Sequence, residues 1–307
     1  MRSDITEELK SVTAESNIRT CEDMGGHTTF RAGGCADLFV TPQSITEAAD
    51  IVRLLLAHDI DYTVIGNGSN LLVSDKGYRG CIICIGSAFG NITVRDNIIT
   101  AGAGALLSKV AKAAYENGLT GLEFASGIPG TVGGAVVMNA GAYGGEMKDV
   151  ITSVTMLDTT NGETVIFTGD DMKFGYRTSV VKNHPFIVLE AQIVLEAGSR
   201  VDIKDKMDEL TRRRKEKQPI EYPSAGSTFK RPEGYFVGKL IEDAGLKGFS
   251  VGGAAVSEKH CGFVINTGGA TASDIIELIK KVRFTVNEKF GVMLEPEVVI
   301  LGEDIDK

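Results

Sequence analysis

No stretch of this sequence holds the ~18 or more consecutive apolar residues that a membrane-spanning helix needs. Its opening residues, MRSDITEELKSV, are charged and have no apolar core of the secretory kind, so a cytoplasmic protein with no membrane partner is expected. Cysteine is scarce and odd in number: Cys21, Cys35, Cys81, Cys84 and Cys261 form no even framework and read as reduced thiols. Cys81 and Cys84 have the spacing of a redox motif. They sit in the apolar run CIICIG, however, and a reactive pair wants an electropositive, partly exposed site, so a buried strand is the better reading. Basic charge is in deficit: the net charge is −9 and the pI about 5.1, which argues against a nucleic-acid partner. Histidine is rare and never clusters at ligand spacing, so no metal site is expected. There is no GK[ST] of a P-loop and no GxSxG, and His58, His184 and His260 lack triad spacing, which disfavours a hydrolase. Internal repeats and low-complexity tails are absent as well.

What the chain has in excess is glycine, 37 of 307 residues against a usual ~7%. The excess concentrates at 125–145, ASGIPGTVGGAVVMNAGAYGG. Seven glycines fall here: Gly127, Gly130, Gly133, Gly134, Gly141, Gly144 and Gly145. Ile128, Val132, Val136, Val137 and Met138 give the run material to bury, so it is no flexible linker. Glycine lets backbone N–H groups approach a ligand closely and reach positive φ. A large ligand with phosphates or a flat ring system is the natural occupant.

The length suits two or three domains. A polar amphipathic helix is expected over 1–20, then a strand at 36–41. Ser44 and Glu47 have capping-box spacing before Ile45, Ala48, Val52 and Leu55, and this helix ends near His58. Tyr62–Ile65 reads as a strand, followed by the turn GNGSN at 66–70 and the strand LLVS. Short strands fill 80–104. A helix over 105–117 has Leu106, Val110 and Ala113 inward and stops at Asn117-Gly118. Thr160-Asn161-Gly162 marks a hairpin, and 184–197 is a strand pair or one long strand. A charged helix covers 199–217, its basic end either an anion patch or a complement to the helix dipole. Phe236, Val237, Leu240, Ile241 and Ala244 form one helical face; Ile275, Ile279, Val282 and Val286 form another, starting near Ser273 and ending at Gly291. VMLEPEVVILG reads as a final strand.

The turn at 66–70 follows a strand as a dinucleotide fingerprint would, but its third glycine is missing and a strand comes next, so a Rossmann site is disfavoured. A pyrophosphate-binding turn and a plain hairpin turn both remain open. Gly102-x-Gly104 reads as a strand-to-helix turn. Ser227, in AGSTFK, could be a nucleophile, a proton donor, an anion contact or a simple Ser/Thr turn. Arg177, after Phe174 and Tyr176, could hold a carboxylate bidentately or lie idle at the surface. Glu295 and Glu297 fall on one face of a strand by alternation, as a functional pair or as the wet side of an edge.

Six motifs in order, GNGSNLLVSD, GLEFASGIPGTVGGAVVMNAGAYGGE, FGYRTS, PSAGSTFKRP, GFVINTGGATASDI and GVMLEPEV, together resemble the UDP-N-acetylenolpyruvoylglucosamine reductase (MurB) family of peptidoglycan synthesis over residues 20–302. The resemblance implies an α+β class: a p-cresol-methylhydroxylase-type FAD-binding fold of two subdomains, 1–78 and 79–198, a substrate-binding domain at 199–292, and a returning strand at 293–307 that carries a catalytic Glu. It implies FAD as cofactor, held by Gly66, Asn67, Gly68, Ser69, Asn70, Ser126, Gly127, Gly130, Thr131, Gly133, Gly134, Asn139, Gly141 and Ala142. Arg177, Ser227 and Glu297 match the catalytic positions, Glu297 being chosen over Glu295 by the family pattern alone. Tyr176, Lys230, Lys239, His260 and Asn266 fall on the UDP-sugar side, with Arg231 beside them. NADPH is the implied co-substrate and a monomer the implied state. Arg177 and Ser227 are only 50 residues apart, so the chain resembles the short, type II form, which lacks an inserted loop.

The residues suit that chemistry. Hydride from flavin N5 to the terminal carbon of an enolpyruvyl ether leaves negative charge on the adjacent carbon and its carboxylate. Arg177 offers a cation for the carboxylate, Glu297 a group to share the charge if burial raises its pKa, and Ser227 a proton donor small enough to approach. An FAD-dependent oxidase or dehydrogenase acting on a sugar or alcohol is the alternative. A non-catalytic nucleotide-sugar binding protein is a third class.

Overall fold

The computed structural model describes residues 2–302. The last residues of the expected 293–307 segment, 303–307, and Met1 of the expected first helix lie outside it. The chain divides into two compact units, one of residues 1–20, 38–67 and 80–213, the other of residues 21–37, 68–79 and 214–307.

In the first unit, helix α1 (Arg2–Leu9) is shorter than the helix expected over 1–20; the chain has turned to extended backbone by Ile18. Helix α2 (Ile45–Ala57) starts where Ser44 Oγ accepts from the Glu47 N–H. The capping box is only half made, because the Glu47 carboxylate accepts from the Gln43 N–H and the Thr13 hydroxyl instead. Ala48, Ile51, Val52 and Leu55 are buried, and Tyr62–Ile65 runs parallel to Cys81–Cys84. Burial pushes the Cys81 thiol up to about 12 and raises Cys84, as befits a strand interior and not a redox pair.

A five-stranded antiparallel sheet forms the rest of this core, in the order Thr164–Thr168, Ile151–Asp158, Phe186–Val194, Ile98–Gly102, Ile92–Arg95. The hairpin joining its first two strands turns at Gly162 with φ +77°, as Asn161-Gly162 predicts. Phe186–Val194 is one strand, and only Glu196–Ala197 pairs elsewhere. Helix α3 (Leu107–Glu116) buries Leu107, Val110, Ala111 and Ala114, one residue round from the expected face, with Leu106 and Ala113 half-buried. The glycine run holds a short helix, α4 (Val132–Val137). Sequence reading misses it because Gly133-Gly134 carries a low helix propensity. Helix α5 (Arg200–Lys217) closes the unit and buries only Ile203 and Leu210.

The second unit packs helices α6 (Val237–Asp243) and α7 (Ala272–Phe290) with a three-stranded antiparallel sheet, Ser250–Val251, Ala254–Val256 and Val264–Asn266. Val237, Leu240 and Ile241 of α6 meet Ile275, Ile279, Val282 and Val286 of α7 in one core with Phe30, Leu72 and Phe229. Phe236 departs from expectation: it precedes α6, is 65% exposed, and lies under the Arg231 guanidinium at 4.1 Å. Helix α7 begins with a full capping box, Thr271 and Asp274, and ends at Gly291 in the left-handed region. Leu71–Val73 runs parallel to Val299–Leu301, so the turn at 66–70 joins strands of different sheets and is no hairpin. No helix among the described residues is long and apolar enough to cross a membrane.

Candidate active site

In the first unit the two glycine motifs meet. A Cβ on Gly66 would collide with Thr131 Oγ1, and Asn67 Nδ2 donates to the Pro129 carbonyl at 2.6 Å. The run is also tied to the strand-to-helix turn at 102–107. Val132 N–H donates to Ala105 O, Gly133 N–H to Ala103 O, and Leu107 N–H to Gly130 O, at 2.8–3.0 Å. Several glycines therefore have a packing reason. A Cβ on Gly133 would lie 3.0 Å from Ala103 Cβ, one on Gly141 2.6 Å from Gly145 O, and one on Gly145 2.5 Å from the Phe124 ring. Gly144 needs its φ of +92° for the hairpin of Gly141–Ala142 with Gly145–Glu146.

Gly134 has no such reason. It is exposed on α4, its φ is ordinary, and the nearest atom to a Cβ there is Thr131 Oγ1 at 3.8 Å, a normal contact. A helix gains nothing internal from glycine at such a place. A cofactor lying against bare backbone explains it, so the residues present fit a large flat ligand such as FAD. Gly127 is exposed nearby, Ser126, Gly130 and Ala142 are half-buried, and the Ser126 hydroxyl donates to Glu123 O.

Asn139 is buried, and its amide is spent within the protein. Nδ2 donates to Glu146 Oε2 and to Gly175 O, both at 3.0 Å, while Oδ1 accepts from the Lys148 N–H. Arg177 is half-buried in a tight turn closed by Gly175 and Thr178. Its φ is +55°, a region costly for a residue with a Cβ. Its guanidinium reaches Gly141 O at 3.4 Å and lies 5.4 Å from the centre of the exposed Tyr176 ring.

The remaining expected residues lie in the second unit. Gly68, at φ +57°, packs so closely on the His27 carbonyl that no side chain fits. Ser69 is half-buried, and Asn70 Nδ2 donates to the Glu297 carbonyl at 3.0 Å. Ser227 and Glu297 are joined through Thr228, a residue that sequence reading missed. Thr228 is fully buried; its carbonyl accepts from the Glu297 N–H at 2.8 Å, its N–H donates to Gly262 O, and its hydroxyl accepts from the Val264 N–H. A threonine next to the motif serine was the available signal. Ser227 Oγ is half-buried, 3.3 Å from Phe229 O. It shares Gly262 as a neighbour with the His260 ring. Burial lowers the His260 pKa, and Nδ1 accepts from the Gly262 N–H, so the neutral ring carries its proton on Nε2.

The structure separates the two glutamates that alternation left alike. Glu295 is 67% exposed and paired with Lys230, whereas Glu297 is half-buried. Lys230 is thus already engaged by Glu295. Lys239 pairs with Asp243 on the outer face of α6. Asn266 is buried with its amide on backbone, donating to Phe30 O and accepting from the Gly268 and Ala270 N–H groups. No grouping of metal-ligating side chains occurs among the described residues.

Two family models match this chain. Residues 36–168 match the family model of an FAD binding domain, and residues 218–301 that of the UDP-N-acetylenolpyruvoylglucosamine reductase C-terminal domain. The chain is therefore an FAD-binding domain followed by that C-terminal domain, the α+β architecture expected. A reductase of this name from Caldanaerobacter subterraneus is 52% identical, the alignment covering 97% of this chain and 98% of the relative. Another from Agathobacter rectalis is 56% identical over 96% and 98%. The crystal structure of the Thermus caldophilus enzyme (MurB) is 35% identical and superposes with a TM-score of 0.79 over 92% of this chain and 98% of that one. The length of 307 residues suits the short form. By these likenesses the chain belongs to the UDP-N-acetylenolpyruvoylglucosamine reductase family.

Proposed function

We propose that this chain reduces the enolpyruvyl group of UDP-N-acetylglucosamine enolpyruvate to UDP-N-acetylmuramate, an NADPH-dependent step in peptidoglycan precursor synthesis. The observation that supports it best is the pinning of Ser227 and Glu297, remote in sequence, around the buried Thr228.

When bound, FAD reduced by NADPH supplies a hydride from N5 to the terminal carbon of the substrate. Gly66, Asn67, Gly68, Ser69, Asn70 and the 126–142 stretch bind FAD, with Asn139 excepted because its amide is already used within the protein. Arg177 holds the substrate carboxylate and stabilises the charge that builds there. Ser227 gives its hydroxyl proton to the carbon next to that carboxylate. Glu297, its backbone held by Thr228 and Asn70, shares the developing charge by hydrogen bonding when its carboxyl carries a proton. Tyr176, Lys230, Lys239 and the neutral His260 line the UDP-sugar side. Asn266 acts there by shaping the backbone, since its amide is already used. Residues 1–78 and 79–198 serve as the FAD-binding subdomains, 199–292 as the substrate domain, and the enzyme works as a cytoplasmic monomer.

The test is the visible spectrum of the purified protein under anaerobic conditions. A flavin spectrum bleached by NADPH and restored by the enolpyruvyl sugar is expected. Restoration by oxygen alone would favour an oxidase instead. Ser227→Ala should keep flavin binding and its reduction by NADPH while overall turnover falls by roughly 10²–10⁴-fold, the span of a lost proton donor. Unchanged turnover would sink the serine assignment.

A further inference from the structure

We propose that Asn139 is a positioning residue for Arg177, acting through the turn at 175–178. The inference rests on the reading of Arg177 as the carboxylate-binding residue.

Arginine is an unusual choice for the place it occupies. The 175–178 turn is closed by backbone bonds between Gly175 and Thr178, and its third residue has φ +55°. Glycine or asparagine is the usual occupant of such a position. A turn of this kind relaxes unless its surroundings over-determine it. Here three tethers run to the end of the glycine run. Asn139 Nδ2 donates to Gly175 O at 3.0 Å, Ser179 Oγ donates to Val137 O at 3.0 Å, and Arg177 itself donates to Gly141 O at 3.4 Å.

Asn139 is the centre of this arrangement. It is 1% exposed and itself at φ +41°, a conformation asparagine tolerates better than most residues. Its second donor goes to Glu146 Oε2, which also binds Lys148 Nζ at 2.9 Å. Its oxygen accepts from the Lys148 N–H at 2.9 Å. One side chain thus welds the 145–148 segment to the arginine turn. The charges around it agree in sign: the hydrogen bond from Lys148 and the nearby Arg177 both favour an ionised Glu146. Glu146 therefore faces the cluster as an anion and holds the Asn139 amide in one orientation. The amide in turn leaves Gly175, and with it Arg177, one place to sit.

The test uses the FAD-loaded enzyme and stopped-flow measurement of its two half-reactions. Asn139→Gly keeps the backbone conformation and deletes the clamp. It should slow reoxidation by saturating enolpyruvyl sugar on the order of 10–100-fold, the scale of a misplaced catalytic group. FAD content and the rate of reduction by NADPH should stay within about two-fold of the unmodified enzyme. In an Arg177→Lys background the same change should slow reoxidation further by less than about two-fold, because the two act as one unit. Ser179→Ala, a milder loss of tether, should shift the same rate in the same direction, and it carries the test if Asn139→Gly does not fold. Loss of FAD, an equal slowing of both half-reactions, or fully multiplicative losses in the double variant would overturn the proposal. If Arg177→Lys slows reoxidation and both tether variants leave it unchanged, the positioning role alone falls. If Arg177→Lys itself changes nothing, the reading of Arg177 falls and takes the positioning role with it.

Discussion

Replacing Gly134 by alanine separates what the protein needs from what its cofactor needs. In the protein alone the change is benign. The new Cβ lies 3.8 Å from Thr131 Oγ1, its nearest neighbour, and the backbone φ is one any residue adopts. Alanine in place of a helical glycine stabilises by up to about 1 kcal/mol. In a chain of this size that corresponds to a rise in Tm of about 1–3 °C. On the proposed reading the sign reverses with FAD, because a methyl group would stand where that reading places the cofactor. Overpacking of that kind costs about 1–3 kcal/mol, or roughly 5- to 150-fold in Kd. Thermal melts of the deflavinated protein and a titration with FAD, followed by quenching of its fluorescence, measure both halves. FAD affinity equal to that of the unmodified protein would refute the argument that Gly134 is bare for the cofactor. A fall in Tm without FAD would show a packing role at that residue instead.

Three other outcomes follow from the same geometry. Gly66→Ala should weaken FAD binding through its collision with Thr131 Oγ1, and Thr131→Ala in the same chain should recover much of the loss; a double variant no better than the single one would contradict the steric account. Thr228→Val should cost about 1–3 kcal/mol of stability by stranding the buried Val264 N–H; a denaturant midpoint that does not move would show that the hydroxyl is dispensable. Asp75 accepts from the Ala272 and Ser273 N–H groups at the start of α7. Burial raises its pKa, but the hydrogen bonds from Ser273 and Ala272 outweigh this and hold it below 3.8. Its stabilisation is thus complete above pH 3.8 and is lost as pH falls through the lowered folded value. Asp75→Asn should remove roughly 0.5–1 kcal/mol at neutral pH and flatten the acid limb of the stability profile below pH 4, as urea melts at several pH values would report.

Much of the fold was legible in local patterns. The period of α7, its glycine stop and the Asn161-Gly162 hairpin depend on residues a few positions apart, and the structure reproduces them. Local reading slipped where distant parts of the chain decide. The Glu47 carboxylate leaves its cap position for the distant Thr13 hydroxyl and the Gln43 N–H. Phe236 has the right spacing for a buried face but precedes the helix. Helix α4 forms despite two glycines because its first N–H groups are taken by Ala105 and Ala103.

The candidate site divides in the same way. The residue types were all readable from sequence: a run of glycines, an arginine after an aromatic pair, a serine in a small-residue loop, and two glutamates flanking a proline. Residue types alone left each role open, and it was the resemblance carried by the six motifs in order that named the chemistry. The family pattern chose Glu297 over Glu295, and the tertiary structure gave the physical difference between them, Glu295 tied to Lys230 at the surface and Glu297 half-buried. The structure also sorted the glycines that serve packing from Gly134, which does not, and showed Asn139 and Asn266 to be braces whose amides are spent within the protein. Each distinction turns on a contact between segments far apart in the chain, and such contacts follow from the packing of the whole core and not from any local pattern.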